Sequence, residues 1–369
     1  MTSAESNTEQ SFEVVLCGPA DRAEQARLFN ACFKKTLEPS ALDWRYDQNP
    51  HGTAVSLLAR PSGQDGVCGY ACSPRLALCR GDERTMAPIG QTGDVMTHPE
   101  WRKQGIFRGL DKRAMEETAK LRWPLVFGLP NRRSAHIFVQ MGWRQVGLIR
   151  PWNFVMSVSA ESKAIRRVDG RLAAFRTSSA YKKGRAARRE LRGLSEGLFG
   201  VRRIARFDKE VTELSKAVEP SFDLMVRRDA EYLNWRFIEN TAKMHTPLGI
   251  YTVDGKLAAY VIIQAPRDGE VVGYLVDVLA KDKAALAQAM EAGLAHLQAA
   301  GAELVQSSCV DGGWWEARLK EAGFQKPKAD NHLIVIAYLH KDMHRLSKAA
   351  VDASRWYLTD GDRDDETMG

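Results

Sequence analysis

Residues 93–110 read Gly-Asp-Val-Met-Thr-His-Pro-Glu-Trp-Arg-Lys-Gln-Gly-Ile-Phe-Arg-Gly-Leu. The pattern is that of a strand end, a short turn and a helix start. The first turn of a helix leaves N–H groups unpaired and carries the positive end of the helix dipole, so it binds phosphate readily. Arg102, Gln104, Gly105 and Gly109 stand where backbone and basic side chains converge on an anion. Glycine lets the backbone approach the ligand without a Cβ in the way. The stretch has neither the Gly-Lys-Ser/Thr ending of a P-loop nor the three glycines of a dinucleotide fingerprint.

Working outward, Phe12 to Leu16 alternates as a strand and Ala20 to Lys35 has helical character. Leu42-Asp43-Trp44-Arg45-Tyr46 precedes a break at Asn49-Pro50-His51-Gly52. Thr53 to Arg60 and Gly66 to Cys79 predict two strands joined by a turn, and Met86 to Thr97 predicts the next. A helix is expected from Arg102 to Leu121, then a strand over Trp123 to Leu129. Asn131 is placed to cap a helix running to Met141, and Val146 to Val158 supplies closing strands. The order predicts a mixed α/β sheet.

Val95 to Phe107 resembles the pyrophosphate-binding motif of the GCN5-related N-acetyltransferase (GNAT) superfamily, hydrophobic-x-x-x-Pro-x-x-Arg-x-x-Gly-x-Gly/Ala. The resemblance continues through Phe127-Gly128-Leu129-Pro130-Asn131 and Ser134 to Phe138-Val139-Gln140-Met141-Gly142-Trp143, similar to the segment closing that family's acyl-CoA cleft. Two positions depart from it. Phe107 stands where the family usually has Gly or Ala, and Phe138 where many members carry a tyrosine proposed as general acid.

The resemblance implies acetyl-CoA as co-substrate and a primary amine as acceptor. Arg102, Lys103, Gln104, Gly105, Ile106, Phe107, Arg108 and Gly109 would hold the pyrophosphate, and Val95, Met96 and Thr97 the pantetheine arm. Asn131 and Phe138 would line the same cleft. A strand amide would stabilise the oxyanion, an interaction typically worth roughly 3 kcal/mol. Asp94 is the first candidate base, with His98 second; the bland alternative for Asp94 is a carboxylate paired with arginine. With phenylalanine at 138, thiolate protonation falls to water or to another group such as Ser134.

The chain also appears twice. Tyr232-Leu233-Asn234-Trp235-Arg236-Phe237 echoes residues 42–46, and Gly323-Phe324 echoes Gly142-Trp143. In each, tryptophan is expected to pack on the sheet and arginine to pair with a carboxylate. Strands are predicted at 246–253, 256–264 and 270–279, a helix at 283–299, a strand at 303–307 and a helix at 313–322. Ala280-Lys281-Asp282-Lys283 replaces the anion loop, so the second copy reads as a degenerate GNAT-like half with structural or substrate-binding duty. Trp314 and Trp315 are either core residues or a stacking wall for a sugar. The expected divisions are a disordered tail at 1–11, a GNAT domain at 12–160, a basic connector at 161–202, a degenerate GNAT-like domain at 203–340 and a C-terminal tail at 341–369.

Composition bounds the rest. With 44% apolar and 27% charged residues in 369, the sequence can build two ordinary domains. A net charge of +7 favours anionic partners, without the signature of a nucleic-acid module. Residues 163–206 hold a dense run of Lys and Arg, read as a solvated connector face or as a contact for anionic membrane lipid. Cys17, Cys32, Cys68, Cys72, Cys79 and Cys309 lack metal-site spacing and read as reduced thiols. Met1 to Ser11 has no apolar core and no run approaches a membrane span, so the cytoplasm is the expected compartment. Trp356-Tyr357-Leu358 followed by an acidic cluster reads either as a disordered tail or as a segment docked between the halves.

Three functions fit these residues. They are acetyl transfer to a primary amine, with an amino sugar of polysaccharide assembly as the guess; FemABX-like aminoacyl or peptidyl transfer; and a non-catalytic acyl-CoA-binding scaffold.

Overall fold

The computed structural model describes residues 12–33, 36–81, 83–157, 173–240, 242–327, 332–340 and 351–363. The first half holds β1 (Phe12–Leu16), α1 (Arg22–Cys32), α2 (Pro39–Tyr46), β2 (Val55–Pro61), β3 (Cys68–Arg80), β4 (Arg84–Thr97), α3 (Ile106–Lys120), β5 (Leu125–Gly128), α4 (Arg132–Gln140) and β6 (Arg144–Val155). Helix α5 (Ala173–Ser195) leads to β7 (Phe199–Arg203), α6 (Lys209–Val218), β8 (Leu224–Val226) and α7 (Ala230–Leu233), which runs on as a π turn through Ile238. Strands β9 (His245–Thr252), β10 (Leu257–Gln264) and β11 (Val272–Ala280) follow. The second half closes with α8 (Lys283–Ala299), β12 (Leu304–Val310), α9 (Trp314–Glu321), β13 (Leu333–Leu339) and β14 (Trp356–Tyr357).

All these strands join one mixed sheet, in the order β1-β2-β3-β4-β5-β13-β6-β12-β11-β10-β9-β7, with β8 bridging β3 and β14. The expected mixed α/β sheet is present, and two similar halves share it. The closing strands of the first half differ from expectation. Residues 144–155 form one long strand rather than two, and β13 from the far end of the chain inserts between β5 and β6. The end of β6 in turn pairs with β12, Ile149 to Val155 against Val310 to Leu304. Each half thus lends a strand to the other. Alternation of apolar residues marks a strand but leaves its partner unspecified.

Helix α3 forms because Ile106, Leu110, Ala114 and Met115 fall on one face and bury against β2 and β3. Helix α5 comes from the basic stretch, and its inward face pairs with the protein. Arg188 and Arg192 converge on Glu291 of α8 at 2.8 and 2.7 Å. Gly184 lies so close to the sheet that a Cβ there would sit 2.8 Å from Phe154. Of the expected membrane contact at 163–206, residues 163–172 lie outside the described residues, as does the tail at 1–11.

For residues 351–363 the disordered reading does not hold. β14 pairs in parallel with β8, and Trp356, Tyr357 and Leu358 are buried in the core shared by the two halves. Asp364, Asp365 and Glu366 lie outside the described residues. The cysteines are free thiols. Among the described residues no helix is long and apolar enough to cross a membrane, and no group of His, Cys, Asp and Glu is placed to hold a metal ion.

Candidate active site

The site begins where β4 and β5 part. They pair in parallel over three positions, Gly90 with Val126, Gln91 with Phe127 and Thr92 with Gly128. The last pair is tight enough that a Cβ on Gly128 would lie 2.4 Å from Thr92 Cγ2. β5 then stops, while β4 continues through a bulge. Gly69 pairs with Met96 but Ala71 with Gly93, so Asp94 and Val95 together face Tyr70, and Asp94 takes φ +47°. A bulge re-aims the backbone locally. Past Thr92, among the described residues, no strand pairs with the edge of β4 that faced β5, and residues 93–97 line the clefts there.

The first cleft has a volume of about 770 Å³. Val95, Met96 and Thr97 form one wall, Asn131, Ser134 and Ile137 another, and the loop from Arg102 to Arg108 its mouth. Lys103 (φ +66°) and Gly105 (φ +75°) turn the chain into α3. The N-cap position is Gly105, which has no side chain to cap the helix, and among the described residues no backbone hydrogen bond outside the helix takes up the amides of Gly105, Ile106 or Phe107. Of the predicted phosphate-binding residues, Gly109 lies one turn into the helix, outside the lining. His98 is also outside it.

A second cleft of about 470 Å³ joins the first, sharing Phe33, Val95, Asn131 and Ser134. Asp94 lies on its wall, where Arg45 reaches both carboxylate oxygens at 2.5 Å and the Tyr46 hydroxyl donates to one at 2.6 Å. Burial and the adjacent Asp94 charge push the Tyr46 phenol well above its usual range. Asn131 caps α4, its oxygen accepting from the amides of Arg133 and Ser134 at 3.0 and 3.1 Å. Phe138 edges against Phe107 and Trp143 and fills core volume beneath the cleft. Phe107 stacks on Tyr70.

Three features of the site were not picked out in the sequence. Tyr46 is one. Another is Asp111, buried on the inner face of α3, which accepts from Tyr70 at 3.0 Å and from Trp143 Nε1 at 3.2 Å. Burial raises its carboxyl to about 6 against the lowering effect of these two bonds. Its position one residue after Leu110, on the apolar stripe, was the available signal. The third is Arg363, which reaches the wall of the second cleft from the C-terminal segment.

The second half repeats the geometry with its space occupied. β11 and β12 also pair at three positions and then part. Asp277 stands three residues before the end of β11, as Asp94 does in β4. Into this gap goes the turn Asp360–Asp362. Thr359 Oγ1 donates to Asp277 at 2.6 Å, the Ser308 amide donates to Asp360 at 2.6 Å, and a Cβ on Gly361 would lie 2.9 Å from Asp277. Arg228, fully buried, pairs with Asp362 at 2.6 Å and Asp277 at 3.4 Å, with its guanidinium over the Tyr357 ring. At the start of α8 the Asp282 carboxylate accepts from Ala285 N at 2.8 Å, a negative group already on the helix end. Trp314, half-buried, stacks on Tyr357 at the wall of a cleft of about 280 Å³, and Trp315 is buried with Nε1 on Ser307.

Residues 16–146 match the family model described as an acetyltransferase (GNAT) domain. Among solved structures, the chain is similar to a GCN5-related N-acetyltransferase from Anabaena variabilis, with TM-score 0.62 and 12% identity over 89% of this chain and 73% of that one. It is similar to Saccharomyces cerevisiae N-myristoyltransferase with bound myristoyl-CoA, with TM-score 0.57 and 13% identity over 93% and 85%. A tandem GNAT protein from the clavulanic acid biosynthesis pathway aligns with TM-score 0.52 and 13% identity over 89% and 98%. No functionally curated protein matches the sequence.

Proposed function

We propose that this chain, whose residues 16–146 match the model of a GNAT acetyltransferase domain, transfers an acetyl group from acetyl-CoA to a primary amine. The observation that carries the reading is the uncapped start of α3 opening onto a cleft that runs into a second one beside Asp94. The amides from Gly105 to Phe107 would receive the diphosphate, with Arg102, Lys103 and Arg108 adding positive charge around it. Gln104 and Ile106 shape the same mouth. The edge of β4 from Val95 to Thr97 would pair with the amide-bearing arm and lay the thioester along the bulge.

The amine nitrogen attacks the thioester carbon, the C–S bond breaks, and the nitrogen loses a proton. An amide of the bulge would receive the developing oxyanion. Asp94 would take the proton, directly or through water, with Arg45 and Tyr46 fixing its orientation. Phe138 has no proton to give, so the departing thiolate would be protonated by Ser134, which lines both clefts, or by water. Asn131 would orient the acyl carbonyl through its side-chain amide, since its oxygen is held by the helix start. The packed rings of Phe107, Phe138 and Tyr70 favour a short acyl group.

An amino sugar is the weaker form of this reading. Phe29, Phe33, Leu129, Phe138 and Leu333 give the second cleft mostly apolar walls, which suit an amine on an apolar body better than one ringed by hydroxyls. The test is to incubate purified protein with acetyl-CoA and a panel of amines and follow free thiol. Amine-dependent release is expected. Tight acetyl-CoA binding with no release above background would instead favour the scaffold, and dependence on charged tRNA the FemABX-like reaction.

A further inference from the structure

We infer that the second half carries a binding site of its own for a small organic acid, one carboxylate on a compact apolar body, in the cleft walled by Trp314. That cleft of about 280 Å³ lies between the end of β11, the start of α8 and one face of α9. In the first half the corresponding place, between β4, α3 and α4, is the cleft of about 770 Å³. The cleft of the second half shares no lining residue with either cleft of the first. Its volume is that of about nine waters, which suits a small molecule rather than a second acyl-CoA. The Asp282 carboxylate on the start of α8 also stands where a phosphate would otherwise bind.

The walls are apolar and braced. Trp314 stacks on Tyr357 with centroids 4.6 Å apart, and the Phe222 ring meets both at steep angles, 5.6 Å from Trp314 and 5.0 Å from Tyr357. Rings held against one another keep their conformation before a ligand arrives, which lowers the cost of binding. Val218, Phe222, Ala280, Leu286 and Trp314 are only half-buried, so apolar surface is left at the cleft for a ligand to cover. The charged groups set the sign of the occupant. Lys281, Lys283 and Arg318 line the cleft, and among the described residues Asp282 is the one lining carboxylate. Asp282 stands 3.9 Å from Lys281, and Arg318 pairs with Glu321, outside the lining, at 2.8 Å. Three cations against these two carboxylates leave one positive charge, which a monoanion complements. Lys281 and Lys283 also flank the start of α8, whose first turn holds no acidic residue, and the helix dipole disfavours cations there. A carboxylate in the cleft offsets that repulsion, while its apolar body lies against the rings.

The test reads binding alone. The full chain is titrated by calorimetry with hexanoate, 4-methylpentanoate, cyclohexanecarboxylate and phenylacetate, each beside its neutral amide, with and without saturating CoA. At least one acid is expected to bind about tenfold or more tighter than its amide, with the same affinity whether or not CoA is present. The preference should vanish when Lys283→Gln and Arg318→Gln are combined. Each single variant should lose part of it, and its thermal midpoint should stay that of the wild type. Should the double variant fold poorly, the single variants decide. The inference is overturned if no acid outbinds its amide or if CoA competes with the acid. It is equally overturned if folded variants keep the full preference. Because the titration without CoA answers the same question, this site stands or falls apart from the transferase reading.

Discussion

Trp44 and Trp235, the tryptophans of the two echoed segments, stack face to face across the junction with ring centroids 4.6 Å apart and planes 19° apart. Trp235 Nε1 also donates to the carbonyl of Trp44 at 3.0 Å. Trp235→Ala removes the stack and that bond together and should cost about 3–5 kcal/mol. Urea unfolding checks this, and loss of the stack should lower the midpoint of a single transition because both halves contribute to one core.

Gly105→Glu should abolish acetyl-CoA binding with the fold retained. A side chain at φ +75° costs about 1–2 kcal/mol, within reach of an ordinary domain's stability, while the added carboxylate would sit on the proposed anion site. A Cβ there meets no atom within 4 Å, so clash is not the cause. Unchanged affinity by calorimetry would refute the assignment of the loop.

Asp94→Asn should reduce turnover by about 10²-fold or more, with acetyl-CoA affinity little changed. The expected stability loss is modest, since asparagine still accepts from Tyr46 and Arg45. Steady-state kinetics beside calorimetry separates the two effects, and normal turnover would remove Asp94 as the base.

Asp111→Asn tests the buried carboxyl. Its folded value of about 6 lies above that of an unfolded aspartate, so the wild type loses stability as pH rises from about 4 to 6. The loss is on the order of 2–3 kcal/mol at pH 8. The variant should lack that slope and be the more stable protein at pH 8, with the difference shrinking toward pH 4. Denaturant midpoints at pH 4, 6 and 8 measure it.

Arg228→Met leaves Asp277 and Asp362 buried without their cation, which should cost about 3–5 kcal/mol near neutral pH. Burial already pushes the Asp362 carboxyl up, so the deficit should narrow in acid as that group takes a proton. Thermal unfolding at pH 5 and 8 distinguishes this from simple loss of packing, which would not depend on pH.

Much of the first half was legible because its signals are local. Asn131 caps its helix through its own side chain, Gly105 needs its positive φ, and the apolar spacing of α3 fixes its buried face. The Trp-Arg echo revealed a repeat, and the pairing of Arg45 with a carboxylate matched the expectation for that motif. What stayed hidden depends on distant partners. Nothing in the alternation of residues 144–155 names residues 333–337 as neighbours. Asp111 stands on the apolar stripe of α3, but nothing local shows that Tyr70 and Trp143 close over it. Trp356 to Leu358 allowed two readings because a short apolar run shows no receiving groove until β8 and β11 are in place.

The strand lent by each half to the other also governs how the molecule comes into being. As the chain leaves the ribosome, β5 and β6 must wait, with unpaired edges, for a strand encoded near the other end of the message. Such a nascent half offers a template for mispairing with a neighbouring copy. The bulge and helix start can fold early, yet the neighbouring wall, with Leu333 and Arg363 in it, exists only after residues 333–363 have emerged. A protein whose translation stops before residue 333 is therefore left without one wall of the second cleft.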